Sequence, residues 1–294
     1  MKHILKEGQI TLLLPDEETG GGLSGEVHLV TYNNKKYVVR RCSKVSIAKR
    51  YEEISKKFGK YNFLPKFLGR FGKDVLFEYI EGRDLTKIES LNSLEQMGRI
   101  AGYINKIKIK GNVSKRFNQQ LRELRTGVYR LTTKERIKLK RVKNRKFKVF
   151  LQKEQVKKIN KVYNLLKNKL NPSLALDIND VSPNNFRIDK NGKVYLVDIE
   201  GIKPRIKGFG FAKFYLKFGK TSKRRNAYLK GYNSVNSTKY LTEEYLDFIY
   251  INFFIQRILY NIKIFNKDYK KTLKRLNKIL EKYSHQKSKH KKDM

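Results

Sequence analysis

Ile178-Asn179-Asp180-Val181-Ser182-Pro183-Asn184-Asn185 is followed, thirteen residues after its last Asn, by the first Asp of Val194-Tyr195-Leu196-Val197-Asp198-Ile199-Glu200. The first stretch sets an Asn five residues after an Asp. The second ends a short apolar strand, Lys193 to Val197, in a carboxylate, and Asn191-Gly192 ahead of it marks a turn. Phosphoryl transfer from ATP needs such a set. One carboxylate orients the acceptor hydroxyl, and an amide and a second carboxylate hold Mg²⁺ against the phosphates. Asp180 is therefore the expected hydroxyl-orienting base, and Asn185 and Asp198 are the expected metal ligands.

Upstream the chain carries the other parts of a nucleotide site. Gln9 to Leu14 reads as a first strand. The glycines that follow match G-x-G-x-x-G-x-V at Gly20, Gly22, Gly25 and Val27. A dinucleotide-binding loop of this type should lead into a helix. Here apolar–polar alternation in Val27, Leu29 and Thr31 continues as a strand, the Asn33-Asn34 turn follows, and Tyr37-Val38-Val39-Arg40 reads as the next strand. A glycine loop between strands resembles the protein-kinase arrangement, and that resemblance implies a backbone closed over ATP phosphates with Val27 over the adenine. Arg40, thirteen residues after Val27, takes the phosphate-pairing position of the strand lysine; a guanidinium stays charged and can bridge phosphate and carboxylate. Ser46 to Phe58 has helical spacing with Ile47, Tyr51 and Ile54 on one face. Glu52 and Glu53 on it are the candidates for the acid that pairs with Arg40, Glu52 being the one assigned. Phe63 to Phe71 and Asp74 to Ile80 read as a hairpin pair.

The order of these parts resembles the protein-kinase-like phosphotransferases. The Pro183-Asn184-Asn185 form, Arg40 on the strand and the Asp198-Ile199-Glu200 triplet resemble the aminoglycoside phosphotransferase and choline kinase branch, with lipopolysaccharide kinase-like proteins beside it. The resemblance implies an α+β bilobal fold: residues 1–79 as a small antiparallel-sheet lobe with one helix, 80–283 as a larger, mainly helical lobe, and 284–294 as a basic tail. It also implies that Glu78-Tyr79-Ile80-Glu81-Gly82 is the hinge, with the backbone at Glu78 and Ile80 binding adenine. Gly208 to Phe214 resembles the D-L-A-K helix, with Gly210 in place of the Asp. Ile178 stands two residues before Asp180, where these families carry a bracing His, and no A-P-E segment is evident. These departures keep a weak or catalytically dead kinase-like binding or scaffold protein as one alternative to an ATP- and Mg²⁺-dependent kinase acting on a hydroxyl of a small molecule, sugar or lipid head group; a basic kinase-like protein associated with nucleic acid or an RNA-bound protein partner is the other.

Composition bounds the rest. The 294 residues suffice for a large core, and 39% are apolar. Lys and Arg total 68 against 27 acids, a formal charge of +41. That excess is either a compositional bias of solvated faces or a field that draws anionic partners. The run from Lys134 to Lys148 is the candidate contact for an anionic membrane surface or a nucleic acid, and the acceptor itself could be anionic. Cys42 is the sole cysteine, and the four histidines have no metal-ligand spacing. A reducing cytoplasmic compartment, with peripheral membrane association as an option, fits these features. Phe248 to Phe265 is interrupted by Arg257 and Lys263 and reads as a core helix.

Overall fold

In the computed structural model, residues 4, 9–12, 25–85, 90–126, 151–262 and 269–284 are described. Gly20, Gly22, the basic run 134–148 and the tail beyond Ser284 lie outside them. Among the described residues the fold is α+β, with an antiparallel sheet in the N-terminal region and eight α-helices. Packing divides the chain into two units. The first comprises Met1–Ile107, Asp177–Lys203 and Phe214–Ser237; the second comprises Lys108–Leu176, Pro204–Lys213 and Thr238–Met294.

In the first unit, β1 (Gln9–Leu12), β2 (Gly25–Tyr32), β3 (Lys35–Cys42), β4 (Phe67–Phe71) and β5 (Asp74–Glu78) form one sheet in the order β1-β2-β3-β5-β4. The β2–β3 hairpin closes on Asn33 and Asn34, both at positive φ (49° and 57°). Asn tolerates that conformation, and two such residues give the turn twist that strands prefer. The register sets Val27 opposite Arg40, and Arg40 in turn opposite Val75. Helix α1 (Val45–Phe58) follows β3. Its buried stripe is Ala48, Tyr51, Ile54, Ser55 and Phe58; Ile47, expected on that face, is only partly buried.

The chain then forms β6 (Gly82–Asp84), which pairs with β9 (Phe186–Asp189), itself paired with β10 (Val194–Leu196). This small sheet binds the segment after β5 to the strands flanking the Asn191-Gly192 turn. Helix α2 (Leu91–Asn105) starts at Ser90, whose hydroxyl accepts the Ser93 N–H. It crosses α6 (Ser222–Asn233) at very close range. A Cβ built on Gly98 would lie 1.9 Å from the Tyr228 carbonyl oxygen, and one on Gly231 would lie 1.7 Å from that of Glu95. Beside this crossing Tyr228 stacks on Phe214 at 3.9 Å, and Tyr232 donates to Asn105 Oδ1 at 3.2 Å.

In the second unit, β7 (Lys108–Ile109) pairs with the first residues of β8 (Leu174–Ile178). Helices α3 (Ser114–Thr126), α4 (Lys153–Leu170) and α8 (Lys270–Ser284) pack on α7 (Glu243–Tyr260). Phe117 stacks on Tyr163 at 3.6 Å and Tyr163 on Phe248 at 5.0 Å. The helical spacing of Phe248, Ile251, Ile255, Ile258, Leu259 and Ile262 is a core stripe, and all six are buried. Among the described residues no helix is long and apolar enough to cross a membrane. The remaining elements are β11 (Ile202–Ile206) and α5 (Phe209–Lys217).

Candidate active site

The segment from Asp177 to Lys203 belongs to the first unit, as do β3, α1, β5 and β6. Strand β8 delivers Ile178, 1% exposed, into the core just before the loop. The loop then braces itself. Asn179 N–H donates to the Gly201 carbonyl at 2.9 Å. Asp180 Oδ1 accepts the Ser182 N–H at 3.0 Å and the Ser182 hydroxyl at 2.5 Å. Pro183 opens a short 3₁₀ turn, Pro183–Asn185, and the Asn185 N–H donates back to the Ser182 carbonyl at 3.0 Å. Asn185 Nδ2 donates to the Asp180 carbonyl at 2.8 Å. Ser182 and Asn185 thus hold the loop from within, and Ile178, at the position expected of a bracing His, is buried in the core. Sequence reasoning missed Ser182, although an Asp followed two residues later by Ser is a readable local turn signal.

Asn185 and Asp198 are brought together by the backbone, since the Val197 N–H donates to the Asn185 carbonyl at 2.9 Å. With Nδ2 committed to Asp180, Asn185 offers its Oδ1 as the ligand atom. An amide oxygen and a carboxylate suit Mg²⁺, which takes oxygen ligands and draws the rest from water and substrate phosphates. The donor set therefore fits the metal. Among the described residues there is no group of three or more His, Cys, Asp or Glu able to hold an ion.

Arg40 Nη1 lies 3.8 Å from Asp198 Oδ1, and its guanidinium carbon is 5.0 Å from the ring centroid of Tyr51. Burial works against the charge on Arg40, but Tyr51, Asp198, Glu200 and Cys42 outweigh it and raise the guanidinium pKa. Tyr51 is 2% exposed, and burial holds its phenol far above the usual range. Its hydroxyl has no hydrogen-bond partner among the described residues. Burial likewise pushes the Cys42 thiol up to about 11, which makes it a poor nucleophile at neutral pH.

The acid of α1 expected beside Arg40 is placed elsewhere. Glu52 accepts from Lys56 Nζ and Arg70 Nε, each at 2.7 Å, and these two bonds lower its carboxyl to about 2. Glu53 is exposed. The phase of α1 explains this. Its inward stripe passes through Tyr51, so the next residue turns toward β4 and Arg70 while the tyrosine faces Arg40. The spacing of Tyr51, Ile54 and Phe58 marks the buried stripe, but which residue meets Arg40 is set by how α1 packs against β3 and β4.

At the end of β5, the Glu78 N–H donates to the Lys66 carbonyl at 2.9 Å, and the Ile80 carbonyl accepts from Arg187 Nε at 2.8 Å. Of the hinge groups expected to read a base, the Glu78 carbonyl and the Ile80 N–H stay uncommitted among the described residues. Gly25 opens β2 and Val27 is half-buried on it.

The sequence pattern that defines choline/ethanolamine kinases matches residues 17–288. The chain belongs to that family. Family members are small-molecule kinases, phosphotransferases with a hydroxyl acceptor. The fold is shared with choline kinase LicA from Streptococcus pneumoniae, at 16% identity and TM-score 0.60, over 96% of each chain. It is shared with an ethanolamine kinase of Plasmodium vivax at 15% identity and TM-score 0.58, over 95% of this chain and 83% of that one. An aminoglycoside phosphotransferase from Alicyclobacillus acidocaldarius matches at 14% identity and TM-score 0.52, over 95% and 93%. No curated protein matches the sequence.

Proposed function

We propose that this family member transfers the γ-phosphoryl group of ATP to a hydroxyl of a small molecule, with Asp180 as the base and Asn185 and Asp198 as the Mg²⁺ ligands. The observation that carries this reading is the convergence of Arg40, Asp198, Asn185 and Asp180 in one packed unit, with Asp180 fixed by Ser182. A LicA structure in complex with AMP supports nucleotide use at this kind of fold.

In the proposed step the acceptor oxygen bonds to the γ-phosphorus, the bond from that phosphorus to the β,γ-bridging oxygen breaks, and ADP leaves. The hydroxyl proton passes to Asp180 and then to solvent. Asp180 takes this proton from a fixed direction, because Ser182 holds one of its oxygens. Mg²⁺ supplies neutralisation of phosphate charge when bound. Arg40 adds a permanent positive charge beside it, and Tyr51 keeps that charge in place. The Glu78 carbonyl and the Ile80 N–H offer an acceptor and a donor to the base. Catalysis of this kind consists mainly of positioning and electrostatic stabilisation, which a preformed set supplies.

Titration of Mg²⁺-ATP into the wild-type protein and into Asp198→Ala, followed by ADP release in the presence of choline, ethanolamine and sugar alcohols, tests the reading. Metal-dependent binding lost in the variant, with turnover on one acceptor, is the expected result. Binding without turnover on any hydroxyl compound would make the chain a kinase-like binding protein. No nucleotide binding at all would overturn the reading.

A further inference from the structure

Arg187 follows Asn185 by two residues, on β9, at a register position opposite Asp84. The segment Tyr79–Asp84 engages all three of its nitrogens. Nε donates to the Ile80 carbonyl at 2.8 Å and Nη1 to Asp84 Oδ1 at 2.8 Å. Nη2 donates to the Tyr79 hydroxyl at 3.0 Å and to the Gly82 carbonyl at 2.5 Å. The guanidinium carbon also lies 5.2 Å from the centroid of the Tyr79 ring. Gly82 allows the close approach: at φ +154°, a Cβ there would meet the Ile188 carbonyl oxygen at 2.1 Å. A planar fork with five donors can satisfy four acceptors and an aromatic face at once, whereas an ammonium offers one point charge.

These contacts bear on the two backbone groups left at the hinge. Arg187 holds the Ile80 carbonyl, the Tyr79 hydroxyl before it and the Gly82 carbonyl after it, which restrains the orientation of the Ile80 N–H. Beside it, Lys66 fixes the Glu78 amide, which orients the strand end that carries the Glu78 carbonyl. Acceptor and donor in this order match the amino group and ring nitrogen on the pairing edge of adenine. Guanine carries the opposite order, a carbonyl beside an N–H, and meets like groups. A site built to hydrogen-bond one pattern rejects the other because its own groups are left unpaired.

We propose that Arg187 is a positioning residue for base selection: it holds Tyr79–Gly82 so that the Glu78 carbonyl and Ile80 amide favour adenine over guanine, and ties that edge to the strand leading from Asn185. The inference rests on the nucleotide site proposed above. No acidic residue of the phosphate-binding set is involved, so the effect of Arg187 falls on the base and not on the phosphates.

The test is calorimetric titration of Mg²⁺-ADP, Mg²⁺-GDP and Mg²⁺-pyrophosphate into the wild type, Arg187→Lys and Arg187→Gln. The wild type is expected to prefer ADP to GDP. Both variants are expected to bind ADP about tenfold more weakly, the scale of one or two lost hydrogen bonds, and to lose the preference while binding pyrophosphate as before. Arg187→Lys keeps the charge and the stem, and it carries the test if Arg187→Gln does not fold. An unchanged ADP-to-GDP ratio in a folded variant overturns the proposal, as does an equal loss for pyrophosphate, which would mark Arg187 as a general support. A wild type that binds none of the three ligands would overturn the nucleotide reading itself, and this inference with it. A changed pattern confined to the variants concerns Arg187 alone.

Discussion

Arg40 and Asp198 face each other across 3.8 Å, with the ring of Tyr51 against the guanidinium. The carboxylate proposed to hold the metal therefore already neighbours a built-in cation. Asp198→Ala is expected to abolish metal-dependent ATP binding, whereas Asp180→Ala, which leaves the metal ligands in place, is expected to keep it. For Asp180→Ala the rate of transfer should fall by about 10² to 10⁴, the usual contribution of a general base. Calorimetry and single-turnover kinetics separate the two effects. Normal transfer by Asp180→Ala would remove that residue from the mechanism.

Tyr51 contributes its ring and not its hydroxyl. The hydroxyl is buried without a hydrogen-bond partner among the described residues, so Tyr51→Phe should be neutral or stabilising by up to about 1 kcal/mol. Tyr51→Leu removes a desolvated cation–π contact worth about 2 kcal/mol. Once Arg40 loses that support, Mg²⁺-ATP affinity should fall roughly tenfold, a 1.4 kcal/mol effect. Melting temperatures and nucleotide affinities of the two variants check this; equal behaviour of both would show that the ring does not position Arg40.

Glu52 should govern part of the acid limb of stability. Bonds from Lys56 and Arg70 lower its folded-state carboxyl to about 2, below the unfolded value of about 4.3. Its contribution is then fully present above the unfolded value and is lost as pH falls from there toward 2. Glu52→Gln should reduce stability at neutral pH and flatten the curve in that window, and urea titrations at several pH values would show it. An unaltered acid limb would mean that the two ion pairs are spent equally in the unfolded chain.

Gly98→Ala or Gly231→Ala should be among the most damaging methyl additions in the first unit. Each Cβ would fall within 2 Å of a backbone carbonyl oxygen on the facing helix, which no rotamer change can relieve. Overpacking commonly costs about 1–3 kcal/mol, and a clash with backbone should reach or exceed the top of that range. A melting temperature within a degree or two of wild type would show that α2 and α6 can separate freely.

Much of this was written in local sequence. The Asn33-Asn34 and Asn191-Gly192 turns, the strands on either side of them, and the Asp180, Asn185 and Asp198 spacing all depend on neighbours a few residues apart. The family pattern over residues 17–288 agrees with the family resemblance those motifs carry. What escaped it depends on contacts far apart in the chain. Whether Glu52 or Tyr51 meets Arg40 is decided by the phase of α1 against β3 and β4. Arg187 reads as an ordinary strand residue until β6 is laid beside β9, 103 residues away in sequence at Asp84. The helix crossing through Gly98 and Gly231 cannot be inferred from either helix alone.

The bracing of Asp180 by Ser182 and Asn185 also bears on how the chain reaches its native state. All of those bonds close within six residues, so their loop-closure entropy is small. The turn can form as soon as this stretch collapses and does not wait for distant segments to arrive. A brace recruited from another element would have tied the reactive loop to long-range contacts, which form slowly. Here the brace on Asp180 itself is short-range, whereas the bonds of Asn179 to Gly201 and of Asn185 to Val197 wait for the following strand to arrive.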